Sequence, residues 1–369
     1  MNSNDKYWIA FALLDEFSSN FINKLYTHFG SIKKAWEASF TELKNIKNLN
    51  LKKIEKFLTL RDKQDPEKLL NRIYEENINF IHQESLNYPH LLKHIDNPPC
   101  TLFYKGDISL CNFDKCLSVV GSRNVSDYAK RALKHLIDPL KNTDLCIVSG
   151  FANGADTQAH KLAIRNNLKT IAVLGSGLNN IYPSGNKKLF EQIIKENLGI
   201  VITEYAPQAK PLAWRFPHRN RIVSGLSKGT LVIEAGIKSG AMITANLALE
   251  QGRELMCIPG DILNPNTLGI YKLIKNGAGI ITSSEDILEI LNWDLNISEA
   301  SNNQIKSKEM ENLDKSEKKI IAELQINALT FDELCTKVDI STENLMLYLT
   351  TLELKGLIKQ VDSIKYIVA

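Results

Sequence analysis

The sequence predicts an α/β protein. We expect a doubly wound, mostly parallel, Rossmann-like sheet, a small N-terminal all-α domain and a C-terminal winged-helix-like domain. Two observations carry this prediction. Short apolar runs alternate with helical stretches through the middle of the chain, and they lack the polar alternation of half-exposed strands, as is typical of strands covered by helices on both faces. The segments on either side are mainly helical in pattern.

With 369 residues, the chain has room for two or three domains. Changes in pattern place the boundaries. We predict a helical domain of the SAM or helix-hairpin-helix kind at 1–75, the sheet domain at 80–291, a linker at 292–314 and the winged-helix-like domain at 315–369.

The N-terminal segment has helical periodicity. Leu25, Phe29, Ile32 and Trp36 fall on one face of a helical pair that is broken at Gly30. A helix-hairpin-helix offers backbone N–H groups to a phosphate from a Gly-rich turn, and this turn has only Gly30. The segment therefore either contacts DNA or is a small helical domain that packs on its neighbour.

The middle segment contains seven predicted strands separated by helices. The strands are Leu117–Val120, Leu145–Ser149, Thr170–Leu174, Ile200–Thr203, Thr230–Ile233, Leu255–Ile258 and Gly279–Thr282. Helical stretches between them include Ala129–Leu140, Lys187–Glu196 and Thr244–Glu250. Strands that alternate with helices indicate a parallel, doubly wound sheet.

The C-terminal segment reads as three helices and a hairpin. The helices are Ser316–Leu324, Phe331–Val338 and Thr342–Lys355, and the strands are Ile358–Val361 and Lys365–Val368. From Ser316 to Ala369 there are eight acidic and six basic residues. A helix that reads duplex DNA should be basic, so we favour a protein-contact or regulatory role over duplex binding.

Composition limits the class of protein. The net charge is only +3, and the six cysteines are scattered without a C-x-x-C pair, so we predict reduced thiols and no metal site. No stretch approaches the roughly 18 apolar residues of a membrane span, and no cleavage site follows the apolar segment from Tyr7 to Leu14. We expect a soluble, cytoplasmic protein without a cofactor.

The predicted strands end in glycine and small hydroxyl residues. Ligands bind beyond the carboxyl ends of the strands in such sheets, and glycine lets the backbone approach a phosphate closely. The candidates at these ends are Gly121, Ser122, Arg123, Gly150, Asn153, Gly154, Gly175, Gly177, Ser239 and Gly240. Such turns also need glycine for geometry alone, so Gly154 and Gly236 stay open between a structural and a binding role. Arg123 comes directly after a buried strand and Gly121-Ser122, and it is predicted to contact an anion.

A one-sided block of positive charge lies from Tyr205 to Ile233. It holds five basic residues and no Asp or Glu, and it includes Phe216, Arg219, Asn220 and Arg221. Arginine suits phosphate and aromatic rings suit unpaired bases, so we predict a groove for single-stranded nucleic acid. We predict that Arg219 and Arg221 hold phosphates. Whether both do so, or one holds phosphate while its neighbour pins the loop to the sheet, stays open.

A second basic and aromatic cluster follows Tyr182-Pro183. Lys187 and Phe190 lie three residues apart on one helical face, which would offer an ammonium to a phosphate and a ring to a base. The alternative is a solvated lysine and a core phenylalanine.

Catalytic signatures are incomplete. Neither a third glycine in phase after Gly175-Ser-Gly177 nor a Walker sequence is present. Asp156, His160 and Glu234 are possible acid–base groups, but no nucleophile joins them. Structural polar roles are therefore favoured for all three.

Five strings in order resemble the DNA-processing protein A family over residues 80 to 291. They are Val-Gly-Ser-Arg123, Ser149-Gly-Phe-Ala-Asn-Gly-Ala-Asp156, Gly175-Ser-Gly-Leu-Asn-Asn-Ile-Tyr-Pro183, Phe216-Pro-His-Arg-Asn-Arg-Ile-Val-Ser-Gly-Leu-Ser227 and Glu234-Ala-Gly-Ile-Lys-Ser-Gly240. The fourth string is highly specific. The flanking segments also resemble that family's optional domains. Two departures, Ala155 and Asn180, leave the basic positions untouched.

The resemblance implies a dimeric, non-catalytic protein that binds single-stranded DNA, protects incoming DNA during natural transformation and loads RecA recombinase. It also implies that Arg123 and Lys187 belong to a basic DNA pocket, with Phe190 beside a base. A rival resemblance is to nucleoside-monophosphate phosphoribohydrolases of the lysine-decarboxylase-like fold. Their Pro-Gly-Gly signature and second Glu are missing around Gly229-Thr-Leu-Val-Ile-Glu234, which favours the binding protein.

Overall fold

A computed structural model of the protein describes residues 4–294, 314–326, 329–338, 340–354, 358–361 and 365–368. The chain forms two compact units, Met1–Asn296 and Ile297–Ala369. In the parts of the chain that are described, no helix has both the length and the apolar character that a membrane span needs.

Six helices open the first unit. They are α1 (Asp5–Leu13), α2 (Ser19–Phe29), α3 (Ile32–Glu37), α4 (Phe40–Lys44), α5 (Leu51–Arg61) and α6 (Pro66–Glu75). The ring of Phe57 lies at the centre of their core. Its centroid is 5.4 Å from that of Phe11 and 5.9 Å from that of Trp36. Gly30 ends α2 in the left-handed conformation, at the predicted break.

Nine strands form one sheet in the first unit. They are β1 (Asn79–His82), β2 (Thr101–Gly106), β3 (Cys116–Val120), β4 (Cys146–Ser149), β5 (Lys169–Val173), β6 (Gly199–Thr203), β7 (Gly229–Val232), β8 (Glu254–Cys257) and β9 (Gly279–Ile280). Their spatial order is β1-β2-β6-β5-β4-β3-β7-β8-β9. All seven predicted strands are present, and the predicted mostly parallel sheet is confirmed.

The sheet has an antiparallel edge, formed by β1 and β2, that was not predicted from the sequence. β1 pairs with β2 and β2 pairs with β6, both antiparallel, whereas the strands from β6 to β9 pair in parallel. The burial of β1 and β2 fades toward the outer end of each strand. They therefore lack the continuous apolar run that predicts the other strands from the sequence.

Strand order places a crevice beside β3. The chain runs from β3 outward through β4 and β5 to β6, and then returns to the other side of β3 to form β7. The connections after β3 and β7 therefore leave in opposite directions, which opens a crevice at their carboxyl ends.

Seven further helices cover the two faces of this sheet. They are α7 (Asp127–Ile137), α8 (Ala155–Arg165), α9 (Lys187–Lys195), α10 (Arg215–Gly225), α11 (Gly240–Glu250), α12 (Leu268–Lys275) and α13 (Ser284–Leu291). α11 begins four residues before the predicted Thr244, because the Ser239 hydroxyl caps it by accepting from the N–H of Ala241 at 3.3 Å.

The described residues of the second unit form three helices and three strands. They are α14 (Lys315–Ile326), β10 (Leu329–Thr330), α15 (Phe331–Lys337), α16 (Thr342–Leu354), β11 (Ile358–Val361) and β12 (Lys365–Val368). The strands pair antiparallel in the order β10-β12-β11. This is the predicted set of three helices and a hairpin, with one short strand added. The predicted linker lies almost wholly outside the described residues.

We expect Leu117→Ala to lower the free energy of unfolding by about 2–5 kcal/mol, because it would leave a cavity beneath the central strand β3. Leu117 is fully buried, whereas Leu86 is 99% exposed. Chemical denaturation of L117A beside the control L86A tests this. Equal losses in the two variants would contradict the position of β3 in the core.

Candidate nucleic-acid-binding site

A pocket of about 580 Å³ opens at the carboxyl ends of β3, β4 and β7, with α10 along one wall. We call it the strand-end pocket. The predicted site residues that line it are Gly121, Ser122, Arg123, Gly150, Phe216, Arg219, Asn220, Ser239 and Gly240. Residues more than 100 positions apart in the sequence thus meet at the crevice that the strand order creates.

Arg123 places an exposed cation at this pocket. Its guanidinium lies 5.7 Å from the centroid of the Phe216 ring. The preceding Ser122 is fixed to both sides of the crevice, because its N–H donates to the Glu234 carbonyl at 2.8 Å and its carbonyl accepts from the N–H of Ala155 at 3.0 Å. A fixed backbone therefore presents an exposed guanidinium, which suits phosphate, beside an aromatic ring.

The pocket-facing side of α10 has helical spacing. Phe216, Arg219, Asn220 and Val223 recur at i, i+3, i+4 and i+7, and all four line the pocket. A Cβ atom added to Gly175 would lie 2.7 Å from Cδ1 of Phe216. Gly175 therefore supports the Phe216 ring from behind, which differs from its predicted role at the phosphate.

Arg219 forms part of the pocket floor and is buried. Its Nη1 donates to the carbonyls of Gly150 and Val173 at the ends of β4 and β5. Its Nε donates to Oδ1 of Asn220 at 3.2 Å. This corrects the prediction that Arg219 is a free phosphate grip, because the backbone already occupies Nη1. Burial lowers the pKa of Arg219, and the nearby Asp156 acts in the opposite direction. Arginine keeps its charge in proteins, so the floor holds this guanidinium together with the Asp156 carboxyl, which also lines the pocket.

Position 150 needs a glycine because two neighbouring side chains leave no room for a Cβ atom. A Cβ atom there would lie 2.7 Å from both Nη2 of Arg219 and Oδ2 of Asp156. The same Asp156 oxygen accepts from the N–H of Ala152 at 3.1 Å. Burial raises the pKa of Asp156, and nearby Arg219 acts in the opposite direction. Asp156 therefore stabilises the turn after β4.

Arg221 faces away from the pocket. It forms a two-pronged ion pair with Glu204, with Nη1 2.5 Å from Oε1 and Nη2 2.6 Å from Oε2. Its Nε donates to the Asn97 carbonyl at 2.9 Å. Burial alone would raise the pKa of Glu204, but Arg221 outweighs it and holds that pKa well below its usual range. The prediction that Arg221 binds phosphate is corrected, because Nε, Nη1 and Nη2 of its guanidinium all have partners within the protein.

Three other candidates lie outside the pocket wall. Gly154 has a φ of +80°, and a Cβ atom there would lie 2.3 Å from the Arg123 carbonyl oxygen. Gly177 packs as tightly against the carbonyl of Ala206. Their geometry explains these two glycines structurally, whereas Asn153 is exposed in the loop before α8.

Lys187 and Phe190 lie on α9, also outside the pocket wall. The side chain of Asn186 donates to the Phe151 carbonyl at 3.0 Å and fixes the start of α9 near the loop after β4. Lys187 is exposed there. Phe190 is half-buried and packs on a core cluster that includes Leu189, which matches the alternative reading of a core phenylalanine.

The pocket also contains residues that the sequence reading did not assign. Lys238, Thr244 and Asn266 line it. Lys238 lies between β7 and α11, inside the string Glu234-Ala-Gly-Ile-Lys-Ser-Gly240. That string predicts the family, but no role for this lysine was predicted from it. Its position before Ser239-Gly240 could have predicted that it lines the pocket, because the loop after β7 leaves from the same edge of the sheet. Asn266 carries no comparable signal.

The possible acid–base groups have structural partners. His160 is fully buried, and its Nδ1 lies 2.7 Å from the Thr170 hydroxyl oxygen. Oε2 of Glu234 accepts from the N–H of Ser126, the residue that caps α7, at 2.8 Å. Neither residue lines the strand-end pocket.

We expect His160 to contribute to acid sensitivity. Burial lowers its pKa to about 3 in the folded protein, whereas an unfolded histidine titrates near 6.5. Between these values only the unfolded chain takes up the proton, so stability is complete above pH ~6.5 and falls by up to about 1.4 kcal/mol per pH unit below it. Denaturation across pH 4–7 should show a shallower slope for His160→Gln. The exposed His28→Gln should keep the wild-type slope, and equal slopes in all three proteins would contradict the assignment.

Two family models match this chain. The family model of DNA recombination-mediator protein A matches residues 79–292, and a model of the DprA winged helix domain matches residues 306–362. The DNA processing protein DprA of Bacillus subtilis is 42% identical across 61% of this chain and 75% of its own length. Protein Smf of Synechocystis is 32% identical across 99% of both chains.

Two solved structures are similar. DNA processing protein A from Streptococcus pneumoniae superposes with a TM-score of 0.63 at 34% identity, covering 74% of this chain and 98% of its own. DNA processing protein A from Helicobacter pylori, described for its single-stranded DNA binding mode, gives 0.52 at 27% identity, covering 58% of this chain and 95% of its own.

Proposed function

The chain belongs to the family of DNA recombination-mediator protein A, and from that membership we propose that it binds single-stranded DNA in the strand-end pocket. We further propose that it acts as a non-catalytic dimer that protects incoming DNA during natural transformation and loads RecA recombinase onto it.

The observation that carries the proposal is the pairing of Arg123 with Phe216. One exposed guanidinium and one half-buried ring lie side by side at the pocket wall, above a floor charged by Arg219. A nucleotide offers a phosphate and a flat base in the same arrangement. Bases in a duplex are stacked inside and cannot reach a ring in a recessed pocket, so the geometry favours the single strand.

Further cations support a path for the strand. Lys238 lines the same pocket, and Lys187 is exposed at the start of α9. We propose that both hold phosphates on either side of Arg123. The single-stranded DNA binding mode described for the Helicobacter pylori relative agrees with this choice of ligand.

A phosphoribohydrolase is the alternative that the crevice raises. That activity would need a free carboxylate at the nucleotide. Glu234 does not line the strand-end pocket, and its Oε2 accepts from the N–H of Ser126. Asp156 lines the pocket, but it is buried and its Oδ2 accepts from the N–H of Ala152. Base release from AMP that disappears in Glu234→Gln would overturn the non-catalytic proposal. No release above the uncatalysed rate is the expected result.

We expect Arg123→Ala to weaken oligo-dT binding severalfold or more. The loss of one phosphate contact should also reduce the slope of log affinity against log salt by about 0.7. Fluorescence anisotropy across a salt series measures both quantities.

The matched control is Arg131→Ala, which removes the same charge from an exposed position on α7. R131A should keep the wild-type affinity and slope. If R123A and R131A lose equal affinity, or neither does, the strand-end pocket is not where the strand binds.

A further inference from the structure

Helix α10 has a second polar face. Arg215, His218 and Arg221 recur at i, i+3 and i+6, opposite the face that lines the strand-end pocket. Their partners include Asp15, which follows α1, and Glu204, which follows β6. A single helix therefore joins the N-terminal helices to the proposed DNA site.

Arg215 makes the first connection. It is 2% exposed, and its Nη2 lies 2.5 Å from Oδ2 of Asp15 while its Nη1 donates to the Lys210 carbonyl at 2.7 Å. Its guanidinium also lies 4.7 Å from the ring centroid of Tyr205 and 5.2 Å from that of Trp214. Asp15 thus supplies the opposite charge for an arginine that is otherwise held among rings and backbone.

Glu204 makes the second connection. Its carboxylate pairs with both Nη atoms of Arg221 and also accepts a hydrogen bond from the Ser19 hydroxyl at 3.0 Å. One of its oxygens lies 3.2 Å from Nδ1 of His218. Ser19 is the first residue of α2. The N-terminal segment is therefore linked to the second polar face of α10 at two places, directly through Asp15 and indirectly from Ser19 through Glu204.

These contacts hold a helix start that has little local support. No side chain caps the N-terminus of α10, and its first turn contains no acidic residue, so neither usual device stabilises it. Phe216 directly follows Arg215. A shift of the Arg215 side chain that moves this turn would therefore move the Phe216 ring on the pocket wall.

We propose that Asp15 and Ser19 are positioning residues, through which the N-terminal helical domain fixes the first turn of α10 and raises affinity for single-stranded DNA without contacting it. The proposal rests on the proposed function of the strand-end pocket. The DNA contacts stay with Arg123 and Phe216.

Charge alone predicts the opposite sign. Removing an acidic side chain from a protein that binds a polyanion strengthens the long-range attraction. Loss of positioning weakens binding instead. Asp15→Asn keeps the shape of the side chain and removes its charge, so the direction of the change in affinity separates the two effects.

Glu16→Gln is the matched control. Glu16 is the next residue, is half-exposed and pairs with Lys56 on the surface, away from α10. E16Q and D15N remove the same charge one residue apart, so their long-range effects are alike. Only D15N removes the ion pair with Arg215.

The fluorescence of Trp214 reports on the start of α10 in the absence of DNA. This residue is 53% exposed, whereas the other three tryptophans, Trp8, Trp36 and Trp293, are at most 7% exposed. Quenching of tryptophan fluorescence by acrylamide therefore reports mainly on the start of α10. Its ring lies against Arg215, so release of Asp15 should change the quenching.

The experiment uses the full chain with oligo-dT anisotropy and acrylamide quenching. We expect the Kd to rise about threefold to tenfold in D15N, with altered Trp214 quenching and the salt slope unchanged, because no phosphate contact is lost. E16Q should match wild type. Ser19→Ala, which removes one hydrogen bond, should show the same changes to a smaller degree and serves if D15N does not fold.

Wild-type affinity in both D15N and S19A would overturn the proposal whatever the quenching shows, as would tighter binding in D15N or equal changes in D15N and E16Q. If Trp214 quenching changes but wild-type protein does not bind oligo-dT, the proposed DNA function has failed while the contact between the N-terminal helices and α10 stands.

Discussion

The guanidinium of Arg219 donates to the carbonyls of Gly150 and Val173, and this contact ties α10 to the ends of β4 and β5. It sets the height of the helix above the sheet and so the position of Phe216. The bare backbone of Gly150 makes room for it. The strand-end pocket therefore depends on a buried charge that backbone carbonyls stabilise by hydrogen bonding.

The basic segment of α10 is divided by the helical period. Phe216 and Arg219 fall on the pocket side, whereas Arg215 and Arg221 fall on the side of Asp15 and Glu204. A block that looks like one positive surface in the sequence is thus one charged floor and two buried anchors. The exposed cations, Arg123 above all, are left for the strand.

Much of the fold was predictable, because buried parallel strands are continuous apolar runs and their carboxyl ends share one edge. That logic placed Arg123, Gly150 and Ser239 in one pocket. It failed for Arg221, because spacing gives the face of a helix but not what lies opposite that face. Glu204 and Asn97, which hold Arg221, come from distant segments, and no local pattern links them to it.

Photo-crosslinking with oligo-dT that carries 5-iododeoxyuridine tests the account most directly, since the label joins a base to the aromatic ring on which it stacks. We predict crosslinks at Phe216, or at Tyr182, whose ring centroid lies 5.4 Å from that of Phe216, and their loss in Arg123→Ala. Crosslinks that form elsewhere, such as at Tyr348 or Tyr366 of the second unit, and persist in Arg123→Ala would contradict the strand-end pocket as the DNA site.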